Sequence, residues 1–334
     1  MEYMARALRL AERALGSTSP NPSVGAVIVR DGIIVGEGYT QPAGGAHAEI
    51  LALRQAGDAA RGATMYVSLE PCSHYGRTPP CTEAIAAAGL KTVHIAHIDP
   101  NPRVNGRGRD YLVAAGISVI EGSLTDRALR HNEAYIKFIT TGLPFVTAKF
   151  AMSLDGKIAT SRGESQWITG ETARRQAHRM RSAVDAVMVG IGTVLQDDPK
   201  LTSRNISGRP LARQPIRVVV DSQGRTPANA QLLQAPGRVL VVVSSQAERE
   251  TEYISSPVVE VLGLGVTAEQ HVDLLELMQV LGGRNVVSVM VEGGSTLLGS
   301  LFDLGLVDKM VAFIGPIVIG GSAAVSPIAG HGAK

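Results

Sequence analysis

Cysteine is scarce in this sequence, which contains only Cys72 and Cys81 among its 334 residues. So few cysteines exclude a disulfide-rich scaffold, and in a reducing compartment such a pair more often binds a metal or acts in catalysis. Long apolar runs are also absent, because the longest, VGAVIV and VLVVV, have the length of strands, whereas a membrane span needs about 20 residues. The first residues contain no apolar core followed by a small-residue cleavage site. We therefore expect a cytoplasmic protein with no signal peptide and no membrane contact.

Aromatic residues make up only 4% of the chain, and the net charge is only +2. Nucleic acids are usually bound by a clearly basic surface with stacking aromatic side chains, so this composition argues against a nucleic-acid partner. The hydrophobic share of 45% and the charged share of 19% are typical of a globular protein. A chain of this length exceeds one ordinary hydrophobic core, which favours two domains.

The first part of the chain alternates between strand and helix patterns. Apolar segments 24–30 and 33–39 flank Asp31-Gly32, a strong signal for a tight hairpin. The other elements predicted here are a helix over about 47–56, strands 63–70, 92–98 and 117–120, helices after Pro80 and near 108–115, and one closing helix over 123–141. Residues 141–144 are a plausible linker. The alternation predicts a layered α/β domain over residues 1–143.

The pattern restarts after the linker and predicts a second α/β domain over residues 144–334. Its predicted elements are strands 144–153, 185–190, 216–222, 238–245, 258–262, 286–292 and 309–319, with helices over 267–281 and after Gly293-Gly294.

Four residues of the first domain form a pattern typical of a catalytic zinc site. His47 opens one helix, Cys72 follows a buried strand and Cys81 starts the next helix, so three ligands would leave the fourth metal position open. Zinc lowers the pKa of a bound water to roughly 7. Glu49 would move the water's proton to a ring nitrogen and then to the departing amine. This arrangement follows the zinc-deaminase signature H-x-E…P-C-x-x-C, except that eight residues separate the two cysteines.

Two other interpretations of the zinc pattern stay open. A nucleic-acid or nucleoside deaminase shares the signature, but it usually has a shorter cysteine spacing and no second domain of this size. A non-catalytic zinc-stabilised scaffold would not require Glu49 and would close the metal with a fourth protein ligand. His94 and His97 lie in a strand and are interpreted as core or edge residues.

Glycine follows two strands of the second domain. Gly190-Ile191-Gly192-Thr193 follows one strand, and Glu292-Gly293-Gly294-Ser295-Thr296 follows another and opens a helix, where a backbone can approach a phosphate. The Rossmann fingerprint is not met, because Leu195 takes the place of its third glycine and no acidic residue follows about 20 positions later. From the residues alone, a dinucleotide site and ordinary glycine turns both remain possible.

Longer motifs extend over essentially the whole chain. In the first domain they are Thr18-Ser19-Pro20-Asn21-Pro22, Val24-Gly25-Ala26, Gly44 to Glu49, Glu70 to Cys81 (EPCSHYGRTPPC) and Asp99-Pro100-Asn101-Pro102. In the second domain they are Lys149 to Ala159 (KFAMSLDGKIA), Ser165 to Thr169, residues 190–198 and Val291-Glu292-Gly293-Gly294. With these motifs the sequence resembles the bifunctional deaminase–reductase family of riboflavin biosynthesis.

The resemblance implies a cytidine-deaminase-like, three-layer α/β/α domain followed by a dihydrofolate-reductase-like α/β domain. In the first domain it implies that His47, Cys72 and Cys81 bind one zinc ion and that Glu49 is the proton shuttle. The residues implied to contact the substrate are Asn21, His74, Arg77, Asp99 and Asn101. Thr40 departs from the family, whose members commonly have a histidine there.

In the second domain the resemblance implies an NADPH site and a sugar-phosphate site. The NADPH residues would be Ala151, Trp167, Thr193, Asp197, Gly294, Ser295, Thr296, Leu297, Leu298, Gly299 and Ser300. The sugar-phosphate residues would be Ser165, Arg181, Leu201, Arg204 and Glu292. Lys149 is our candidate for the acid of the reduction.

The implied reactions are hydrolytic deamination of a diaminopyrimidinone ribosyl phosphate, followed by NADPH-dependent reduction of its ribosyl group to ribityl. We expect a small-molecule substrate and a homo-oligomer, with a dimer favoured. Family members usually continue with a further strand region after Gly320-Gly321, so the C-terminal part is expected to be incomplete relative to them.

Overall fold

The structure is a computed structural model that describes residues 1–165, 168–251 and 254–332. Contacts divide the chain into two compact units, Met1–Gly142 and Leu143–Lys334. None of the helices in these described ranges has the length and apolar character that a membrane crossing requires.

A mixed sheet forms the centre of the first unit. Its strands are β1 (Gly25–Arg30), β2 (Ile33–Tyr39), β3 (Thr64–Val67), β4 (Thr92–Ile95) and β5 (Ser118–Glu121), in the order β2-β1-β3-β4-β5. Strand β1 pairs antiparallel with β2 and β3, whereas β3, β4 and β5 are parallel. The predicted hairpin is confirmed, because Asp31 and Gly32 have φ of 51° and 77° between β1 and β2.

Helices cover both faces of this sheet. They are α1 (Glu2–Ala11), α2 (Ala48–Ala56), α3 (Cys81–Ala87), α4 (Arg107–Ala114), α5 (Thr125–His131) and α6 (Glu133–Thr141). Buried residues on one face include Ile28, Met65, Ile85 and Ile95, and a second cluster under α1 includes Met4, Leu8 and Val27. The prediction of one closing helix over 123–141 is wrong, because Asn132, with ψ of 11°, separates α5 from α6.

Two glycines of β2 let α2 lie directly on the sheet. A Cβ at Gly36 would lie 2.2 Å from the Ala52 carbonyl oxygen, and a Cβ at Gly38 would lie 2.2 Å from the Ala48 carbonyl oxygen. Real Cβ atoms do not approach a backbone so closely, so a side chain at either position would force α2 outward. The start of α2 carries His47 and Glu49, and β2 therefore sets where these two residues lie.

A parallel sheet forms the centre of the second unit. Its strands in the described residues are β6 (Phe145–Ser153), β7 (Ala186–Gly190), β8 (Ile216–Val220), β9 (Val239–Ser244), β10 (Val259–Leu264), β11 (Ser288–Glu292) and β12 (Lys309–Gly315). They follow the order β10-β9-β8-β7-β11-β6-β12, with parallel pairing between neighbours. Central strands such as β9 are buried on both faces, which is why they appear in the sequence as continuous apolar runs.

Helices accompany the parallel strands. They are α7 (Glu171–Ala183), α8 (Ile191–Asp197), α9 (Gln231–Gln234), α10 (Glu248–Thr251), α11 (Leu274–Gly283) and α12 (Ser295–Asp303). The predicted helix over 267–281 begins later than expected, because the Asp273 carboxylate accepts the N–H groups of Leu275 and Glu276 and caps α11. Strand β12 also ends at Gly315, before Pro316, which has no N–H to donate to a neighbouring strand.

Candidate active sites

Three side chains with metal-binding atoms meet in the first unit. His47 Nδ1 lies 3.5 Å from Cys72 Sγ and 3.3 Å from Cys81 Sγ, and the three ligand atoms all lie within 4.8 Å of one another. Among the described residues, no other His, Cys, Asp or Glu belongs to this group. A tetrahedral zinc ion with bonds of about 2.0–2.3 Å fits three such atoms and keeps its fourth position open. This arrangement is typical of a catalytic zinc and not of a structural one.

Local structure brings the ligands together at two helix starts. His47 directly precedes α2, and Cys81 is the first residue of α3. The N–H of Cys81 donates to Cys72 Sγ at 3.4 Å. Hydrogen bonding with the Cys81 thiol and with His47 lowers the pKa of the Cys72 thiol to about 4. The thiolate is the form that binds a metal.

Glu49 lies in the first turn of α2 and is only 4% exposed. Burial disfavours its charged form and raises the pKa of its carboxyl to about 7. A carboxyl group with this pKa both accepts and releases a proton near neutral pH.

A cavity of about 300 Å³ opens beside these residues. It contains all five residues that the resemblance implied for the first substrate, together with His47, Glu49 and Cys72: Asn21, His74, Arg77, Asp99 and Asn101. The Nδ1 atom of His74 is buried and has no hydrogen-bond partner among the described residues. A buried nitrogen of this kind is expected to be paired once a polar ligand is bound.

Tyr135 of α6 is a wall residue that the sequence did not indicate. Its hydroxyl donates to Asp99 at 3.1 Å, and the Asp99 carboxylate also accepts the N–H of Asn101 at 2.9 Å. Burial raises the pKa of Asp99 to about 6. No motif marks Tyr135, since a tyrosine on the inner face of a helix is an ordinary core residue.

Thr40, the departure from the family pattern, also lines this cavity. Its hydroxyl accepts the Val24 N–H at 3.1 Å and lies 3.4 Å from the Val24 carbonyl oxygen. These contacts join the residue before β1 to the residue after β2.

The second unit contains a larger cavity, of about 640 Å³. The predicted site residues that line it are Lys149, Ala151, Ser165, Arg181, Thr193, Asp197, Leu201, Arg204, Glu292, Gly294 and Ser295. Trp167 lies outside the described residues. Residues 296–300 are not part of the lining, and the side chains of Leu297 and Leu298 are packed in the core.

Glu292 is a buried residue in the lining of this cavity, and it contacts two other lining residues. The sheet register places Glu292 of β11 opposite Lys149 of β6. The Glu292 carboxylate accepts Lys149 Nζ at 3.3 Å, Arg181 Nε at 2.5 Å and Arg181 Nη2 at 3.1 Å. Burial opposes ionisation, but the charges of Arg181 and Lys149 outweigh it and lower the pKa of Glu292 to about 2. Glu292 is therefore a carboxylate at neutral pH.

Thr202 is buried and connects three polar side chains that line the cavity. Its carbonyl oxygen accepts Arg181 Nη1 at 3.1 Å and lies 3.1 Å from His178 Nδ1, and its hydroxyl accepts Arg204 Nε at 2.9 Å. Leu201, with φ of 52°, turns the chain here while its side chain is buried. Sequence reasoning missed Thr202 and His178, although the spacing of His178 and Arg181 on one helix face was a usable signal.

The start of α12 is built for close approach of a ligand. Gly293 and Gly294 have φ of 102° and 89°, and a Cβ on Gly293 would lie 3.2 Å from Thr193 Oγ1. The first turn of a helix presents N–H groups without partners inside the helix, which suit a phosphate. The residues present thus fit the pyrophosphate of NADPH at this end of the cavity.

Comparison with known proteins decides the family. The model of the cytidine and deoxycytidylate deaminase zinc-binding region matches residues 1–97, and the model of the RibD C-terminal domain matches residues 144–334. The chain is 44% identical to the riboflavin biosynthesis protein RibD of Actinobacillus pleuropneumoniae, covering 99% of this chain and 88% of that protein. The chain belongs to the RibD family.

Other RibD proteins agree with this assignment. RibD of Escherichia coli is 44% identical, over 96% of this chain and 89% of that protein. A solved structure of Acinetobacter baumannii RibD is 40% identical and superimposes with a TM-score of 0.87, covering 100% of this chain and 91% of that one. A structure from Thermotoga maritima, titled a diaminohydroxyphosphoribosylaminopyrimidine deaminase/5-amino-6-(5-phosphoribosylamino)uracil reductase, is 40% identical with a TM-score of 0.86, covering 98% and 89%.

RibD membership confirms several predictions from the sequence. The chain is a bifunctional enzyme of riboflavin biosynthesis with a deaminase and a reductase activity, and its cofactors are zinc and NADPH. Its α/β fold, with a cytidine-deaminase-like domain followed by the RibD reductase domain, is confirmed as well. A nucleic-acid deaminase is not favoured, because relatives over nearly the full length are RibD proteins.

Proposed function

We propose that this RibD enzyme deaminates 2,5-diamino-6-ribosylamino-4(3H)-pyrimidinone 5′-phosphate and then reduces the ribosyl group of the product, giving 5-amino-6-ribitylaminouracil 5′-phosphate. We assign the deaminase to residues 1–143 and the reductase to residues 144–334. The observation that carries the proposal is the three-ligand metal group with buried Glu49 beside it, in the same cavity as Asn21 and Asp99.

Deamination requires a nucleophilic water at neutral pH. His47, Cys72 and Cys81 would hold zinc, which would supply this water in an activated state. As the water oxygen bonds to carbon 2, Glu49 takes one of its protons and passes it to the ring nitrogen. Glu49 then takes the second proton from this oxygen and passes it to the amine, which leaves carbon 2 as ammonia while the carbonyl forms. Asn21, His74, Arg77, Asp99 and Asn101 orient the substrate within the cavity.

Reduction requires a hydride acceptor and an acid. When bound, NADPH would supply the hydride for C1′ of the open-chain imine, and the imine nitrogen must gain a proton. Lys149 is the proposed acid, because its ammonium is held in the cavity by Glu292. NADPH contacts are assigned to Ala151, Trp167, Thr193, Asp197 and the helix start at 294–300. In this last segment Gly294 and Ser295 line the cavity, so the backbone N–H groups at the very start of the helix are proposed to provide the contact, whereas Leu297 and Leu298 are packed in the core.

The two arginines of the second cavity have different roles in this proposal. Arg181 already makes a two-point ion pair with Glu292, so it fixes that carboxylate for the sugar hydroxyls. Arg204 donates from Nε to the Thr202 hydroxyl, and its terminal nitrogens are proposed to bind the phosphate together with Ser165 and the backbone of Leu201.

We also propose that the enzyme is a cytoplasmic homodimer. Strand β12 is the last strand at its edge of the described sheet, and it exposes Met310 and Ile314, with Ile317 and Val318 directly after it. An exposed apolar edge strand favours pairing with a second copy. Ile314→Lys should therefore lower the mass of the assembly in analytical ultracentrifugation, and an unchanged mass would place the dimer contact elsewhere.

The proposed function is tested by incubating the enzyme with the diaminopyrimidinone substrate, with and without NADPH, and identifying the products by mass. Without NADPH we expect conversion of the amine to a carbonyl and release of ammonia. With NADPH the product should also gain a hydride and a proton. Lack of deamination by zinc-loaded enzyme would contradict the proposal.

A further inference from the structure

Glu70 is a buried carboxylate that has no role in the mechanism above. It is 3% exposed, and its two oxygens accept three backbone N–H groups from one distant segment. The N–H of Asp99 donates at 3.1 Å, that of Gly106 at 2.9 Å and that of Arg109 at 3.0 Å. Bonds from N–H groups to a charged carboxylate are stronger than those to a neutral acceptor. The Glu70 carboxylate therefore uses most of its capacity to accept hydrogen bonds on the backbone of the segment 99–109.

The two ends of this interaction belong to different parts of the site. Glu70 is two residues before the zinc ligand Cys72 in the sequence. The segment 99–109 carries Asp99 and Asn101 into the cavity and ends in the first turn of α4, whose positive end favours a carboxylate. One side chain thus connects the metal-ligand loop to the opposite wall of the substrate cavity.

Gly108 independently shows that this contact is close. A Cβ on Gly108 would lie 2.1 Å from the Pro71 carbonyl oxygen and 3.1 Å from Glu70 Oε1. The first turn of α4 is therefore packed against the backbone just before Cys72, with no space for a methyl group. A side chain at position 108 would push α4 away from Pro71, so glycine is required there for the backbone N–H groups to reach Glu70.

We propose that Glu70 is a positioning residue for the deamination, which sets the distance between the zinc ligand Cys72 and the substrate-contacting side chains of Asp99 and Asn101. The proposal rests on the proposed function of this cavity. The Glu70 carboxylate accepts the backbone N–H of Asp99, and the Tyr135 hydroxyl donates to the side-chain carboxylate of Asp99. With both contacts in place, the Asp99 carboxylate is fixed before substrate arrives, and no binding energy is lost in ordering it.

Glu70→Gln tests this role with little change in side-chain size. The amide oxygen can accept some of the three N–H groups, but the amide nitrogen is a donor and would face another donor. We expect the KM of the deaminase to rise roughly tenfold or more while kcat changes less, because substrate orientation is lost and the zinc chemistry is kept. Zinc content should stay at the wild-type level, and the amides of 99–109 should exchange faster with deuterium.

Two further variants make the test specific. Gly108→Ala should reproduce the rise in KM without removing any charge, because α4 must move away from Pro71. Glu121→Gln is the matched control: Glu121 contacts the Arg109 side chain at 3.4 Å at the surface, whereas Glu70 holds the Arg109 backbone. This control should leave both activities and amide exchange unchanged. Reductase turnover in the same chain reports the amount of enzyme, and zinc content reports whether the first unit is folded.

A Glu70→Gln enzyme with unchanged KM, or with a lower kcat alone in proportion to a loss of zinc, would overturn the positioning role and leave a purely structural one. Wild-type enzyme assayed in parallel separates the two proposals. An inactive wild type contradicts the proposed function. Unchanged exchange of the 99–109 amides in Glu70→Gln contradicts the proposed tether without any assay of activity.

Discussion

Glu49 and Glu292 show how the surroundings of a residue give the same side-chain type opposite chemical properties. Both are buried, but Glu49 has its pKa raised to about 7 by desolvation, whereas Arg181 and Lys149 lower that of Glu292 to about 2. Glu49 can therefore exchange a proton at neutral pH, and Glu292 remains a charged acceptor. These properties match their proposed roles, proton shuttle in the deaminase and orienting group in the reductase.

Glu49→Gln should abolish deamination and leave zinc bound, since Glu49 is assigned proton transfer and not ligation. Removing a general acid–base residue typically costs a hundredfold to ten-thousandfold, so we expect a fall in kcat of about that size. The measurement is ammonia release together with zinc content. Glu2→Gln, an exposed change in α1, is the control. Wild-type turnover by Glu49→Gln would rule out the shuttle role.

Arg204→Ala should weaken binding of the sugar phosphate in the reductase and spare NADPH. Loss of a charge-assisted phosphate contact is worth about 1.5–3 kcal/mol, which raises the KM for the deaminated intermediate at least tenfold. Arg204→Lys, which keeps the charge but not the two-point geometry, should fall between wild type and alanine. An equal rise in the KM for NADPH would show that Arg204 does not act on the substrate phosphate.

At the scale of elements, the zinc site depends on how closely α2 is packed on β2. Gly38 faces the carbonyl oxygen of Ala48. Ala48 lies between His47 and Glu49 in the sequence. A methyl group at this position must displace the start of α2, and overpacking of this kind costs about 1–3 kcal/mol.

Gly38→Ala should therefore lower both the stability of the first unit and its affinity for zinc. Thermal unfolding and competition with a chelator measure the two effects. Gly283→Ala is the matched control, because a Cβ there meets nothing within 4 Å. A Gly38→Ala enzyme that binds zinc as tightly as wild type would show that the β2–α2 contact does not position His47.

At the scale of the whole molecule, each unit has its own core and its own cavity. The clusters around Met65 and Ile95 belong to the first unit, and those around Met188 and Val241 belong to the second. Zinc chemistry needs nothing from NADPH, and hydride transfer needs nothing from zinc. The two activities should accordingly be separable.

Cys72→Ser should abolish deamination and leave NADPH-dependent reduction of the deaminated intermediate largely intact, because only the zinc group loses a ligand. Removal of zinc with a chelator should have the same selective effect on wild-type enzyme. Each activity is measured with its own substrate on protein whose fold is checked by circular dichroism. Loss of both activities in folded Cys72→Ser would require a site shared by the two units.

Much of the first site could be predicted because its residues belong to short segments. His47 and Glu49 are two residues apart on one helix start, and Cys72 and Cys81 flank one loop, so local spacing places them. The hairpin at Asp31-Gly32 was predictable for the same reason. The predicted helix boundaries were wrong at Asp273, whose side chain caps α11, and at Asn132, whose backbone conformation separates α5 from α6. The apolar pattern continues through both positions.

Residue types at fixed local spacing are enough to indicate the family, the two α/β patterns and the candidate zinc ligands. Only the tertiary structure decided that Glu292 lies opposite Lys149, which follows from the register of two strands more than a hundred residues apart. It also decided that Tyr135 contacts Asp99 and that Glu70 binds the segment 99–109. These contacts join distant parts of the chain, and neither hydrophobic period nor local spacing contains information about which buried polar groups will meet.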